Sequence, residues 1–281
     1  MGDFTKFQQL RRESSRSAGA VSSLRVLGLG PDARCVHVLW MYPDILNMHG
    51  GRGDAMALLQ WSIRLELPLE LRRIDALGEE IPLDWADMIL FPSGDLCCME
   101  DVSGALGRYE AAFRAFAAAG KVILAVGSSG ALLARQTRYL SGHTARGLGL
   151  LGMEWTQRNT AFGDDLWVQP GEGPEFLALQ VQMADVTLLE GQEALGATLY
   201  GRGNCGDGRE GARTGNVIFT HCLGPALTKN PALTEDLLRT AADTAGVRHG
   251  PLKDEDVALE TQALEDVRSF IERKMRGEVH F

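Results

Sequence analysis

This sequence of 281 residues has few cysteines, no long apolar run and no excess of positive charge. The five cysteines are odd in number and show no C-x-x-C spacing, so they indicate neither a disulfide framework nor a structural zinc site. No apolar run approaches the ~20 residues that a membrane-spanning helix needs. Residues 1–17 are polar where a signal peptide has an apolar core. We therefore expect a cytoplasmic protein with reduced thiols and no membrane insertion.

The charge balance limits the kinds of partner. Lysine and arginine number 28 against 37 aspartates and glutamates, a formal net charge of −9. Nucleic acids and anionic membranes attract basic surfaces, so neither is expected as the main partner. A small molecule or another protein is the expected partner.

The order of apolar segments predicts the domain organisation. Residues 1–33, rich in Ser, Arg, Gly and Ala, show no periodicity and are predicted to form a flexible leader. Over residues 34–250, short apolar strands alternate with helical spacings, which predicts an α/β domain with a mostly parallel central sheet and helices on both faces. Short strands between glycine-rich turns over 150–222 predict a β-rich second half. The charged amphipathic segment in 251–281 is predicted to be a C-terminal helical tail.

Ligands of a parallel sheet bind at the carboxyl ends of the strands, and three such ends stand out. They carry YPDILNMHGGRGD (42–54), PSGDLCCMED (92–101) and GSSG (127–130). At the third, an apolar strand turns sharply into a helix, an arrangement that in enzymes presents a nucleophile beside the positive helix N-terminus. The bend here carries Gly127, which has no nucleophilic atom.

Two glycine-rich loops are open to a binding or a structural interpretation. Residues 42–54 could cradle a phosphate, but the loop has neither the G-x-x-x-x-G-K-[ST] order nor a lysine. We interpret it as a turn in which Asp54 caps the next helix and Asp44 pairs with Arg52 at a pocket rim. We interpret GRGNCGDGREG (201–211) as a flexible hairpin tip.

Three segments together resemble the class I glutamine amidotransferases of the cobyric-acid-synthase-like group, and within it the glutaminase subunits (GatD) of lipid II isoglutaminyl synthase. Residues 42–54 match Y-P-D-L-x-N-L-Y-G-D-R-G-N, residues 120–134 match the elbow A-V-C-G-G-Y-Q-L-L-G, and residues 215–233 match G-x-x-x-G-T-Y-L-H-G-P-x-L-P-K-N-P. The likeness covers about residues 35–247. It implies a flavodoxin-like fold, a glutamine pocket at the strand ends and a Mur-ligase-like (MurT-type) protein partner.

The resemblance also assigns the positions where the family does its chemistry. In the family, the elbow cysteine attacks the side-chain amide of glutamine, and a histidine from a later strand activates it. Gly127 stands at the cysteine position and Leu223 at the histidine position. Glycine has no side chain that attacks and leucine accepts no proton, so the resemblance implies a degenerate active site.

Two further segments of the family's pocket differ from its pattern. The oxyanion-side loop keeps Gly94 and Asp95 but has Leu96 where arginine is usual, and QMADV (182–186) stands where the family has E-N-H-G-G. We expect no cofactor and no metal. The predicted pocket residues are Asp44, Asn47, Arg52, Ser93, Gly94, Asp95, Ser128, Ser129 and Gly130.

Three functional classes follow from these residues. The first is a catalytically inactive subunit that partners a Mur-ligase-like protein in the amidation of peptidoglycan precursor (lipid II). The second is an active glutaminase with Cys97 or Cys98 as a relocated nucleophile and His221 as its base. In the plainer interpretation those cysteines are small loop residues and His221 is a hydrogen-bonded core histidine. The third is a stand-alone binder of glutamine or a related molecule.

Overall fold

The computed structural model describes residues 23–26, 34–253 and 257–279. These residues form two sheets and the helices that cover them. The strands are β1 (Ser23–Val26), β2 (Val36–Met41), β3 (Leu69–Ile74), β4 (Met88–Phe91), β5 (Val122–Val126), β6 (Gln136–Arg138), β7 (Thr144–Arg146), β8 (Met153–Pro170), β9 (Phe176–Leu188), β10 (Gly196–Tyr200), β11 (Arg209–Glu210), β12 (Ala212–Thr214) and β13 (Val217–Thr220). The helices are α1 (Gly51–Arg64), α2 (Met99–Gly107), α3 (Glu110–Ala118), α4 (Gly130–Leu133), α5 (Ala226–Lys229), α6 (Pro231–Ala245) and α7 (Ala258–Met275).

The larger sheet has the strand order β1-β3-β2-β4-β5-β13-β12. Its five central strands are parallel, and the two edge strands, β1 and β12, pair antiparallel with their neighbours. Helices cover both faces, because alternate residues of β2 belong to different cores. Val36, Val38 and Trp40 pack with α1 and α6, whereas Leu39 and Met41 pack with α2 and α3. The predicted α/β fold class is confirmed.

The β-rich second half is also confirmed, as a six-stranded sheet of order β11-β10-β8-β6-β7 with β9 paired to β8. Strands β8 and β9 form a long antiparallel hairpin of 18 and 13 residues. Its buried residues extend both cores of the first sheet: Leu166 and Val168 pack in one, Trp155 and Val186 in the other. The hairpin therefore lies across the carboxyl end of the parallel sheet.

The ends of the described chain differ in part from the expected organisation. Residues 23–26, within the predicted flexible leader 1–33, form edge strand β1, because the backbone of β3 is available for pairing on that side. The rest of that leader lies outside the described residues. In the predicted tail, α7 docks through Arg64 and Glu260 at 2.6 Å and through Lys274 and Asp165 at 2.9 Å. Within the described ranges, no helix is long and apolar enough to cross a membrane.

The loop 42–54 packs through glycine and proline against the loop 92–101 and against the segment that follows β13. A Cβ atom placed on Gly51 would lie 2.6 Å from Cβ of Pro92, and one on Gly53 would lie 2.3 Å from Cγ of Pro225. Neither approach leaves room for a side chain, so the loop 42–54 needs its glycines for packing. This contact joins the loops that follow β2, β4 and β13.

Asp54 has a different role from the predicted helix cap. Helix α1 begins at Gly51, and Asp54 lies one turn inside it, only 1% exposed. Its Oδ1 accepts a hydrogen bond from the amide of Leu227 at 2.8 Å, so the carboxyl group caps α5 and not its own helix. Burial raises the pKa of Asp54 to about 7, although the amides of Ala226 and Leu227 oppose that shift.

The raised pKa of Asp54 makes a prediction about stability. A carboxyl whose pKa is higher in the folded state stabilises the protein fully below its unfolded pKa, and that contribution is lost as the pH rises through the folded value. We expect Asp54→Asn, which keeps Oδ1 but stays neutral, to gain unfolding free energy relative to wild type between pH 4 and 8. Chemical denaturation across that range measures it.

The matched control is Asp44→Asn, since Asp44 is exposed and its side chain is 44% accessible. Asp44→Asn should show no comparable gain in unfolding free energy, because the Asp44 carboxyl is not buried. If the unfolding free energies of Asp54→Asn and wild type differ by the same amount at every pH from 4 to 8, Asp54 is ionised in the folded protein over that whole range.

Candidate functional site

The predicted elbow is a sharp turn at the carboxyl end of β5. Gly127 adopts the left-handed conformation, with φ of +59°, and a 3₁₀ turn over Gly127–Ser129 leads into α4. Residues other than glycine adopt this backbone conformation at a cost, which is the geometry of a strained nucleophile turn. The backbone therefore has the elbow shape although the nucleophile position is a glycine.

The space beside Gly127 is filled by two other side chains. A Cβ atom at this position would lie 2.5 Å from Oγ of Ser93 and 2.8 Å from Cδ2 of Leu223. The structure thus brings Gly127 and Leu223 side by side, and Leu223 is buried. Ser93 and Leu223 occupy the place that a side chain at position 127 would need, and neither is a proton acceptor of the histidine type.

Ser128 satisfies the backbone of the neighbouring loop. The amide of Gly94 donates to Oγ of Ser128 at 3.1 Å, and the same hydroxyl donates to the carbonyl of Gly94. Ser93 Oγ lies a further 3.3 Å from Ser128 Oγ. An oxyanion site needs backbone N–H groups that point at the developing charge, and this N–H group is already used.

The other predicted pocket residues serve mainly as scaffold. Ser129 is fully buried and donates to the carbonyl of Pro92 at 2.5 Å. Gly130 packs so closely on Phe219 that a Cβ atom there would be 2.3 Å from the ring. Three exposed residues of the loop after β2 do not line the cavity next to the elbow: Asp44, Asn47 and Arg52. Asp44 and Arg52 form the expected ion pair, at 3.4 Å.

A cavity of about 300 Å³ lies next to the elbow. Four of the predicted pocket residues line it: Ser93, Gly94, Asp95 and Ser128. The other lining residues are Met48, His49, Leu96, Trp155, Val181, Gln182, Met183, Ala184 and His221. Four of these come from β9, including three of the QMADV segment that the resemblance assigns to substrate binding.

His221 forms a buried pair with a residue that the sequence analysis did not single out. Its Nδ1 lies 2.9 Å from Oε2 of Glu210, and the other carboxylate oxygen accepts the amide of His221 and the hydroxyl of Thr220, each at 2.7 Å. Burial alone would raise the pKa of Glu210, but the His221 ring and these hydrogen bonds outweigh it and lower the pKa. The pair resembles a general base with its orienting carboxylate.

The second ring nitrogen of His221 has no partner among the described residues. Its Nε2 is buried and makes no hydrogen bond to any described residue, and the ring borders the cavity. Burying a polar atom without a partner costs free energy, which a ligand or water in the cavity would recover. The interpretation of His221 as a plain core histidine therefore accounts for only one of its two nitrogens.

The relocated cysteine–histidine pair is not formed in this structure. Partial burial and the nearby Asp95 raise the pKa of the Cys97 thiol to about 12, which leaves almost no thiolate near pH 7. Cys98 is buried, with its sulfur 3.8 Å from that of Cys97. Since Nε2 of His221 has no partner among the described residues, it activates neither thiol.

In the middle of strand β9, over residues 179–183, the apolar side chains face outward and the polar ones face inward. Gln180 and Gln182 are buried, whereas Leu179, Val181 and Met183 are 44%, 40% and 44% exposed. Side chains alternate between the two faces of a strand, so the three apolar residues form one continuous stripe. An exposed apolar stripe on an ordered strand typically marks a contact surface.

The buried glutamines hold the loop that was predicted to be a flexible hairpin tip. Gln180 donates to the carbonyl of Gly203 at 2.7 Å and accepts its amide at 3.1 Å, and Gln182 donates to the carbonyl of Asn204 at 2.7 Å. The loop therefore has a fixed path, which brings Glu210 to His221. Glu210 lies just before β12, which pairs antiparallel with β13, and His221 directly follows β13. An acidic residue at this place in the sequence is the signal that could have identified Glu210.

Comparisons with known proteins agree with this architecture at the level of fold. No protein-family model matches the chain, and no curated protein matches it. A chain in the structure of PurLQS from Thermotoga maritima aligns with a TM-score of 0.50 and 12% identity, over 75% of this chain and 98% of that one. The protein therefore shares the α/β fold of that chain, with a mostly parallel sheet and a second, β-rich sheet.

Two structures titled as glutamine amidotransferases align less closely. One has a TM-score of 0.46 and 20% identity, over 74% of this chain and 99% of that one. The other, from Thermotoga maritima, has a TM-score of 0.47 and 13% identity, over 86% and 99%. At these identities the similarity concerns the fold and not the activity.

The packing at the elbow makes a prediction. We expect Gly127→Ala to lose about 1–2 kcal/mol from the left-handed backbone and about 1–3 kcal/mol more from the clash with Ser93 and Leu223. Gly142→Ala is the control, because Gly142 has φ of +85° with no atom near its Cβ position. Urea denaturation of both variants measures the difference.

Ser93→Ala tests whether the larger destabilisation expected for Gly127→Ala than for Gly142→Ala comes from the predicted clash. It removes the hydroxyl that would lie nearest the new Cβ, so adding it to Gly127→Ala should recover part of the loss. Equal destabilisation of the Gly127 and Gly142 variants would mean that the space beside the elbow is open.

Proposed function

We propose that this protein is a non-catalytic subunit of the glutamine amidotransferase type, similar to the GatD glutaminase subunits, that binds a Mur-ligase-like protein in the amidation of peptidoglycan precursor. The observation that carries the non-catalytic role is the packing of Ser93 and Leu223 into the side-chain position of Gly127. Thioester chemistry needs a thiolate at that position, and the chain offers neither the atom nor the space for it.

Three features of the site support the non-catalytic role. The elbow has no nucleophile, Leu223 stands beside it where a base is needed, and the Gly94 amide is hydrogen-bonded to Ser128. Nucleophile, base and oxyanion donor act as one unit in such enzymes, so loss of the first alone costs about 10⁴–10⁶ in rate. These features are mutually consistent, because the Gly94 amide and the Ser93 hydroxyl both lie within hydrogen-bond distance of the Ser128 hydroxyl.

The exposed stripe of β9 supports a protein partner. Leu179, Val181 and Met183 are outward residues of the strand and alternate with the buried Gln180 and Gln182, and Val181 and Met183 also line the elbow cavity. Leu179 pairs through its backbone with Leu223, at 2.8 and 3.3 Å. A protein bound on this stripe would cover the mouth of the cavity, where a glutaminase would deliver ammonia.

The choice of partner rests on the sequence resemblance and on charge. The segments YPDILN (42–47), GRGD (51–54) and GPALTKNP (224–231) follow the GatD-like pattern, and Gly53 of the second packs on Pro225 of the third. The net charge of −9 favours a partner with a basic patch. Such attraction weakens as salt is added.

We expect the purified protein to release no ammonia from glutamine, alone or with its partner. The double variant Gly127→Cys with Leu223→His is also expected to be inactive, because Ser93 Oγ would lie 2.5 Å from the new Cβ and the Gly94 amide stays bonded to Ser128. A coupled glutamate dehydrogenase assay measures both.

Two cysteine variants test whether Cys97 or Cys98 acts as a relocated nucleophile. Cys97→Ser and Cys98→Ser should leave the background unchanged. Turnover that appears with the partner and is lost in either variant would establish Cys97 or Cys98 as the nucleophile and end the non-catalytic proposal.

We expect co-expression with the Mur-ligase-like protein encoded nearest to this one to give a complex that co-elutes at low salt. Val181→Glu with Met183→Glu should weaken it by at least ~10-fold, since two charges would be buried in the contact. The control is Ile63→Glu, because Ile63 is similarly exposed, at 46%, but lies at the far end of α1. Separate elution at low salt, or equal loss in the control, would refute the stripe as the contact.

A second candidate function is binding of a small polar molecule in the elbow cavity. The specific observation is the unpartnered, buried Nε2 of His221 at the wall of that cavity. Calorimetry with glutamine as the probe tests it, with His221→Phe, which keeps the ring but removes both nitrogens, as the comparison. Binding that persists unchanged in His221→Phe would exclude this site.

A further inference from the structure

A second cluster of polar side chains lies at the opposite end of the parallel sheet from the elbow. Cys35 directly precedes β2, His37 is the second residue of β2, and Glu70 is the second residue of β3. The two strands are parallel neighbours, and His37 and Glu70 stand directly beside each other in their register. The cluster therefore joins the amino ends of β2 and β3.

The three side chains have the spacing of metal ligands. One ligand atom from each, the thiol sulfur, an imidazole nitrogen and a carboxylate oxygen, all lie within 4.8 Å of one another. Sγ of Cys35 is 3.4 Å from Nε2 of His37. In a tetrahedral zinc site, bonds of ~2.3 Å to sulfur and ~2.0 Å to nitrogen put these two atoms about 3.5 Å apart. The cysteine and histidine therefore already have the separation that one zinc ion would impose.

The other nitrogen of His37 is held in the way that zinc-binding histidines usually are. Nδ1 lies 3.3 Å from Oδ2 of Asp87, and the same oxygen accepts the backbone amide of His37 at 3.0 Å. The ring of Trp85 packs on the imidazole with centroids 4.3 Å apart. A carboxylate on Nδ1 fixes the tautomer that leaves Nε2 as the ligand atom, and the indole fixes the ring orientation.

We propose that Cys35, His37 and Glu70 bind one Zn²⁺ ion, with solvent completing the tetrahedron. Sulfur and imidazole ligands favour zinc over magnesium or calcium, which prefer oxygen alone. Binding replaces the thiol proton: the S–H bond of Cys35 breaks, the proton passes to solvent, and the sulfur lone pair forms the bond to zinc. The ion would link β2 to β3 at the end of the sheet remote from the elbow.

Two features explain why the sequence did not indicate this site. Cys35 and His37 are separated by one residue, which differs from the C-x₂-C and H-x₃₋₅-H spacings that indicate zinc in a sequence, and Glu70 lies in another strand. The parallel register of β2 and β3 brings the third ligand to the first two.

Cobalt(II) titration of the full-length protein tests the proposal, since cobalt reports thiolate ligation through a sulfur-to-metal charge-transfer band. We expect one equivalent to produce the band and zinc to displace it. Cys35→Ser should abolish the band and weaken zinc binding by more than the ~10–100-fold that loss of an outer carboxylate costs. Cys205→Ser is the matched control, a half-buried cysteine outside the cluster, and should keep the band.

Asp87→Asn tests whether Asp87 positions His37 and is not itself a zinc ligand. It should weaken zinc binding by ~10–100-fold while the charge-transfer band remains. Glu70→Gln should also leave the band but shift the ligand-field absorption, because a different donor then completes the tetrahedron.

Mapping of alkylation in the wild-type protein keeps the test valid if Cys35→Ser folds poorly. Zinc should protect Cys35 from iodoacetamide, while Cys205 reacts as before. Absence of the band with wild-type protein, a band that survives in Cys35→Ser, or equal alkylation of Cys35 with and without zinc would each overturn the proposal.

Discussion

The contact of two prolines with two glycines is the constraint on which the site depends. Pro92 follows β4 and Pro225 follows β13, and both approach the glycines of α1 so closely that no side chain would fit. Asp54 adds a buried hydrogen bond from α1 to α5. Loops from three separate strands are thereby fixed around the carboxyl end of β5. The motif residues are explained by this packing without any ligand.

The elbow is closely packed and hydrogen-bonded although it carries no nucleophile. Leu223 and Ser93 fill the volume beside Gly127, and Ser128 bonds both backbone groups of Gly94. A missing side chain in a core usually leaves a void that costs stability, and an unused buried N–H group costs more. Here both costs are avoided, which is why the replaced positions have to be considered together.

The long β8–β9 hairpin adds a buried polar pair and an exposed apolar surface to the same end of the molecule. In the middle of β9, the buried glutamines bond the backbone of the loop 201–211, while Leu179, Val181 and Met183 face outward. That polarity is the reverse of a strand that only covers a core. The loop carries Glu210 to His221, so the strand organises a polar pair inside the molecule and an apolar surface outside it.

The sequence by itself determined the α/β class, the elbow and the absence of a nucleophile at Gly127, because strand and helix periodicities and the lack of a side chain are local properties. Only the tertiary structure decided what fills that position, since Ser93 and Leu223 come from distant strands. It also decided that Asp54 caps a different helix, and that Glu210 and Glu70 reach histidines in other strands. These pairings depend on strand register and on how buried polar groups find partners, which no local pattern encodes.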